Sequence, residues 1–157
     1  MSKTNRHKIL NDPVYGFVTL RHSKALDLMD HPYVQRLRRI SQLGLSHLVY
    51  PGAVHNRFHH AIGSLFLMQQ AINTLRSKGV EISNDEDEAV CFANLLHDIG
   101  HLLYDGEDPI NEGKDGYHEN LGADYLSAYY GEEVTRPIRA HVACKRYLSA
   151  VEDGYYE

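Results

Sequence analysis

At 157 residues with 43% hydrophobic side chains, the chain is the size of one ordinary domain and can bury a core of its own. Its formal charge is −5 and it has no Lys/Arg-rich run, which argues against tight non-specific binding to a polynucleotide. A small anion held by a few local cations is still allowed.

The opening MSKTNRHKILND lacks the apolar stretch of a signal peptide, and no run of roughly 18 apolar residues exists to span a membrane. A cytoplasmic protein without a membrane partner is expected. HKILNDPVYGFVTL then carries Asn-Asp-Pro and Gly between short apolar pieces, which predicts a turn and a small hairpin.

Helical periodicity follows. Leu26, Leu28 and Met29 precede His31-Pro32, and a second run places Val34, Leu37, Ile40 and Leu43 at spacings of three until Gly44 ends it. Arg36, Arg38 and Arg39 on that run read as a solvated face. LSHLVYPGAVHN is a loop or short extended link. Phe58, Ile62, Leu65, Phe66, Ala71, Ile72 and Leu75 mark one long amphipathic helix closed by Gly79.

The next helix starts at Ser83-Asn84, with Asp85, Glu86, Asp87 and Glu88 favouring the positive end of its dipole, and runs to His97-Asp98. From Leu102 to Tyr117 the chain is polar, with glycines and a proline, and reads as a mobile surface loop that could cover a site. A helix is expected from about His118 to Tyr130. A last one begins near Thr135, tolerates Pro137 in its first turn and continues past Leu148. Cys91 and Cys144 fall inside helical patterns without CxxC spacing, so both are read as reduced, buried thiols.

The stretch NLLHDIGH puts three ionisable side chains where an apolar helix should bury its end. On a helix His97 and His101 would share a face, with Asp98 beside them. Buried groups of this kind need a partner, and a metal ion suits imidazole and carboxylate together. Four predicted helices each offer a histidine at an end or on an apolar face: His60, His97, His118 and His141. With Asp98 they suit a centre of one or two divalent transition ions, Fe, Mn or Zn, since a carboxylate can bridge two ions. Arg57 is three before His60 and Lys145 is four after His141, so each could hold an anionic group beside the metal. His101 is a further candidate for touching the substrate. His59 points away from His60 and is not expected to be a ligand.

His60 followed by the His97-Asp98 pair resembles the HD-domain superfamily of metal-dependent hydrolases and oxygenases. ILNDPVYG, QRLRRISQLG, YPGAVHNRFHHAIG and LLHDIGH, within residues 1 to about 101, resemble the deoxynucleoside triphosphate triphosphohydrolase branch. That resemblance implies phosphate binding, metal ligation and catalysis for Arg57, His60, His97, Asp98 and His101. From about residue 97 onward, HDIGHLL, YHENLGADYL and VTRPIRAHVACKRYL resemble the phosphonate-degrading HD-domain di-iron oxygenases. There the resemblance implies His118 and His141 as ligands of a second metal, His101 and Lys145 as phosphonate contacts, and Tyr50 as a metal-gating tyrosine. Two departures stand out: Ala53 occupies the place of the oxygenase glutamate, and the chain ends sixteen residues after His141, before the final aspartate ligand that both branches supply.

The expected fold is an all-α HD-type bundle with a small N-terminal β-hairpin. Residues 1–157 are read as one domain lacking its C-terminal helices, and self-association is expected. The expected function is a metal-dependent phosphohydrolase acting on a nucleotide-like phosphate, with His101 or His118 managing protons and Arg57, His101 and Lys145 binding substrate. Its rivals are a di-iron oxygenase of a small organophosphonate and a metal-stabilised domain without turnover.

Overall fold

In the computed structural model, residues 8–104 and 116–152 are described. Most of the loop expected between Leu102 and Tyr117 lies outside them. Strands β1 (Ile9–Asp12) and β2 (Gly16–Thr19) pair antiparallel, Ile9 opposite Thr19 and Asp12 opposite Gly16. The Asp12 carboxylate accepts from the backbone N–H groups of Val14 and Tyr15, the side-chain turn that Asn-Asp-Pro signals. Tyr15 stacks on Phe66 at 4.9 Å between ring centroids, fastening the hairpin to the helices.

Helix α1 (Ser23–Asp30) stops at His31 because Pro32 starts α2 (Pro32–Arg36), with the His31 ring accepting the N–H of Tyr33. The second apolar run does not continue as α-helix to Gly44, as its spacing predicts. It tightens into a 3-10 turn over Leu37–Arg39, and Ser41 then bridges to Asn56. Leu43 is consequently exposed. The three arginines of this run are exposed as expected, Arg38 lying over the Phe58 ring.

Helix α3 (Arg57–Ser77) is capped by the Asn56 side chain, which accepts from His59 N. It ends at Gly79, whose φ of +86° lets Gly79 N and Val80 N reach back to the Arg76 and Leu75 carbonyls. Helix α4 (Asn84–Leu96) opens with a reciprocal capping box between Ser83 and Glu86. Helix α5 (His118–Leu126) is shorter than expected. Helix α6 (Glu132–Val151) starts three residues before Thr135, so Pro137 sits inside the helix instead of its first turn.

The buried faces of α3, α4, α5 and α6 meet in one core, in which Leu65, Leu95, Ala123 and Ile138 are fully buried. The second half of α6 emerges from it, so Cys144 is exposed and not buried as its helical pattern suggests. Cys91 on α4 is buried. Among the described residues, no helix is long and apolar enough to cross a membrane.

Candidate metal centre

The centre forms where α4 ends. His97 is its C-terminal cap and Asp98 leaves helical geometry, after which residues Ile99–Leu102 make a 3-10 turn. His97 and His101 therefore do not share a helix face as their spacing implies. His101 reaches the site by another route: Gly100 packs directly against α5. A Cβ on Gly100 would lie 1.9 Å from the His118 carbonyl oxygen, and one on Gly122 would lie 3.1 Å from Gly100 N. Only glycine permits that approach, and it stacks the His101 ring on His118 with centroids 4.0 Å apart.

His60 comes from the first turn of α3, His118 is the first residue of α5, and His141 lies midway along α6. Ligand atoms of His60, His97 and Asp98 lie within 4.8 Å of one another, as do those of Asp98, His118 and His141. Asp98 belongs to both trios, so all five expected ligands converge.

Backbone contacts orient two of the rings. His97 Nδ1 lies 2.8 Å from the Asn94 carbonyl oxygen and His141 Nδ1 lies 2.6 Å from that of Ile138. An Nδ1–H donated to each carbonyl leaves Nε2 as a lone pair facing the site, the tautomer a metal requires. His118 follows Tyr117, which holds the left-handed backbone at φ 50°, and has no helical carbonyl behind it. Its Nδ1 instead faces buried Glu119 Oε2 at 3.7 Å. The Nε2 atoms of His118 and His141 face each other at 3.1 Å. Without an ion, a proton on one of them can hydrogen-bond the other, and a cation between them takes the place of that proton. The donor set thus fits a divalent ion.

The electrostatics agree. Burial pulls His60 and His141 down to about 4 and His118 to about 3, so these imidazoles stay neutral near pH 7. Burial by itself would push the Asp98 carboxyl up, but His97, Arg57, His101 and His60 outweigh it and hold it well below the usual carboxylate range. Asp98 is a buried anion beside the neutral imidazoles of His60, His118 and His141.

Arg57 is buried with it, donating to Asp98 Oδ2 at 3.1 Å and to Gln42 Oε1 at 3.5 Å. Lys145 is exposed, on the rim of a cavity of about 270 Å³ whose lining includes His60, His97, His141, Ser64 and Asn94. His59 is exposed, as expected. Tyr50 is 69% exposed and makes no described contact with the centre. Sequence reasoning missed Gln42, Glu119 and the Gly100–Gly122 contact. The small residues of HDIGH and NLGAD carried that last signal, since a glycine in the turn and one within α5 permit close backbone approach.

No model of a known protein family matches the chain. It is 41% identical over 100 residues to the deoxynucleoside triphosphate triphosphohydrolase SAMHD1 of Danio rerio, covering 62% of this chain and 16% of that protein. The human protein of that name is 41% identical over 96 residues, covering 60% of this chain and 15% of its own length. An uncharacterised Bacillus subtilis protein, YwfO, is 36% identical over 99 residues, covering 63% of this chain and 23% of its own. The chain spans about a sixth of the length of the SAMHD1 relatives it matches. A crystal structure of a phosphohydrolase from Bacteroides thetaiotaomicron superposes with a TM-score of 0.69 at 36% identity, covering 96% of this chain and 37% of that one. With its HD pair between packed helices, the chain resembles these phosphohydrolases in sequence and fold.

Proposed function

We propose that this chain is a metal-dependent phosphohydrolase acting on a nucleotide-like phosphate. The observation that carries the reading is the convergence of His60, His97, His118 and His141 on Asp98, with its carboxylate shared by two trios. The sharing favours two ions, and the nitrogen and oxygen donors suit Fe, Mn or Zn. When bound, such ions polarise a phosphoryl oxygen and lower the pKa of water.

The chain's own residues supply the rest. Arg57 is placed to exchange its contact with Asp98 for a phosphate oxygen, which its planar fork can grip with two donors. Lys145 attracts the anion at the cavity rim. His101 and His118, stacked on each other beside Asp98, would hold or pass a proton at the reacting phosphate. The cavity lined by His60, His97 and His141, of about 270 Å³, is the size of a small organic group.

The named relatives are hydrolases or uncharacterised, and Tyr50 lies out in solvent, so the oxygenase reading gains no support. The test is Asp98→Ala, with ion content and phosphate release from nucleotides measured beside the parent protein. The variant should lose bound metal and turnover together. Metal content unchanged from the parent would overturn the ligand assignment, and dioxygen uptake without phosphate release would overturn the reaction.

A further inference from the structure

A second set of donors sits toward the opposite end of α4. His22 precedes α1, and Asp87 and Cys91 are four apart on one face of α4. Asp87 and Cys91 are buried, and the His22 side chain is 19% exposed. Asp87 Oδ2 is held by the Arg76 guanidinium at 2.8 Å, which leaves Oδ1 directed at the other two residues. His22 Nε2 lies 3.3 Å and Cys91 Sγ 3.5 Å from that oxygen.

We propose that His22 Nε2, Asp87 Oδ1 and Cys91 Sγ form a second metal site, for zinc or a similar borderline divalent ion, separate from the His/Asp centre. The geometry carries it. Zinc bonds of roughly 2.0–2.1 Å to nitrogen and oxygen and about 2.3 Å to sulfur, at tetrahedral angles, set ligand edges of about 3.3 Å for N–O and about 3.5 Å for O–S. Both observed edges have those lengths. The three ligand atoms all lie within 4.8 Å of one another, and nitrogen, carboxylate oxygen and sulfur are the donor types zinc takes.

A hydrogen-bonded clamp without metal would share these distances, with the thiol donating to Asp87. The metal differs in chemistry: the ion replaces the thiol proton, which leaves to solvent, and a zinc–thiolate bond forms. The exposed side of His22 gives the ion an entry path and leaves the fourth position to water. Bound there, it ties the start of α1 to the helix that ends in His97 and Asp98, so this site steadies the scaffold and takes no part in the reaction.

Cobalt(II) separates the two readings, because only a thiolate ligand gives near-ultraviolet sulfur-to-cobalt charge transfer. The full chain carrying Cys144→Ser has Cys91 as its only thiol. After chelator treatment and dialysis, titration with cobalt should produce that absorption, and adding Cys91→Ser should remove it and lower the bound ion count by one. His22→Ala should weaken cobalt binding at this site at least tenfold and shrink the rise in melting temperature that cobalt gives over chelator, whatever the loss of its contact with Asp87 does to the metal-free melt. Absence of the charge-transfer band at saturating cobalt overturns the proposal. So does an ion count and affinity unaltered by His22→Ala, and neither result depends on whether the His/Asp centre hydrolyses phosphate.

Discussion

Arg57 and Asp98 form an ion pair in which both side chains are buried, 6% and 3% exposed. Such a pair is costly to break from one side, because the survivor is a buried charge without compensation. Arg57→Ala should therefore destabilise the metal-free protein by about 3–5 kcal/mol in urea unfolding, and by clearly less with saturating metal, since a cation then faces Asp98. Lys145 makes the opposite case, as an exposed cation outside the ligand trios. Lys145→Ala should weaken binding of a phosphate-bearing ligand roughly tenfold by calorimetry with metal stoichiometry intact. Spacing brought both residues into consideration. It could not show that Arg57 would be buried against a ligand, because that depends on where α4 ends relative to α3.

At the scale of elements, the junction of the Ile99–Leu102 turn with α5 decides whether the second trio exists. Gly100→Ala places a methyl group against the His118 backbone, and backbone cannot yield as a flexible side chain can. The expected cost is at least about 2 kcal/mol of stability, with one ion lost from the stoichiometry while His60, His97 and Asp98 keep theirs. Elemental analysis of the folded variant checks this. The elements themselves were largely legible: the hairpin from its turn residues, α3 from its periodicity and terminal glycine, α4 from its cap. Legibility failed where local and tertiary demands diverge. The Val34 to Leu43 run has helical spacing, yet its chain must turn so that Ser41 can bridge Asn56, and the α-helix gives way to a 3-10 turn. Cys144 matched a buried pattern only because periodicity cannot tell which half of a long helix has a neighbour.

For the molecule as a whole, three half-buried imidazoles set the response to acid. The unfolded chain takes up protons on His60, His118 and His141 near pH 6.5, whereas the folded protein resists until about 4, 3 and 4. Acid therefore favours the unfolded chain. Metal-free protein should keep its full stability above about pH 6.5 and lose it progressively as pH falls toward 4. Thermal melts across that range, with and without metal, should show the loaded protein more stable at neutral pH and the two curves converging in acid as protons displace the ions. The site was legible in the sequence as a set of residue types, since His60, His97, Asp98, His118 and His141 could all be nominated. Their common meeting point was not, because it depends on two glycines and on rotamers fixed by the Asn94 and Ile138 carbonyls.

The guanidinium of Arg57 also bears on the order of assembly. Asp98 faces a positive charge that the chain itself supplies, and the apolar core around Leu65, Leu95 and Ile138 is built of side chains outside the ligand trios. Folding and metal uptake are therefore separable events, unlike in small zinc domains that collapse only around their ion. Protein stripped with a chelator should still unfold cooperatively and rebind ion afterwards, which calorimetry before and after metal is restored checks.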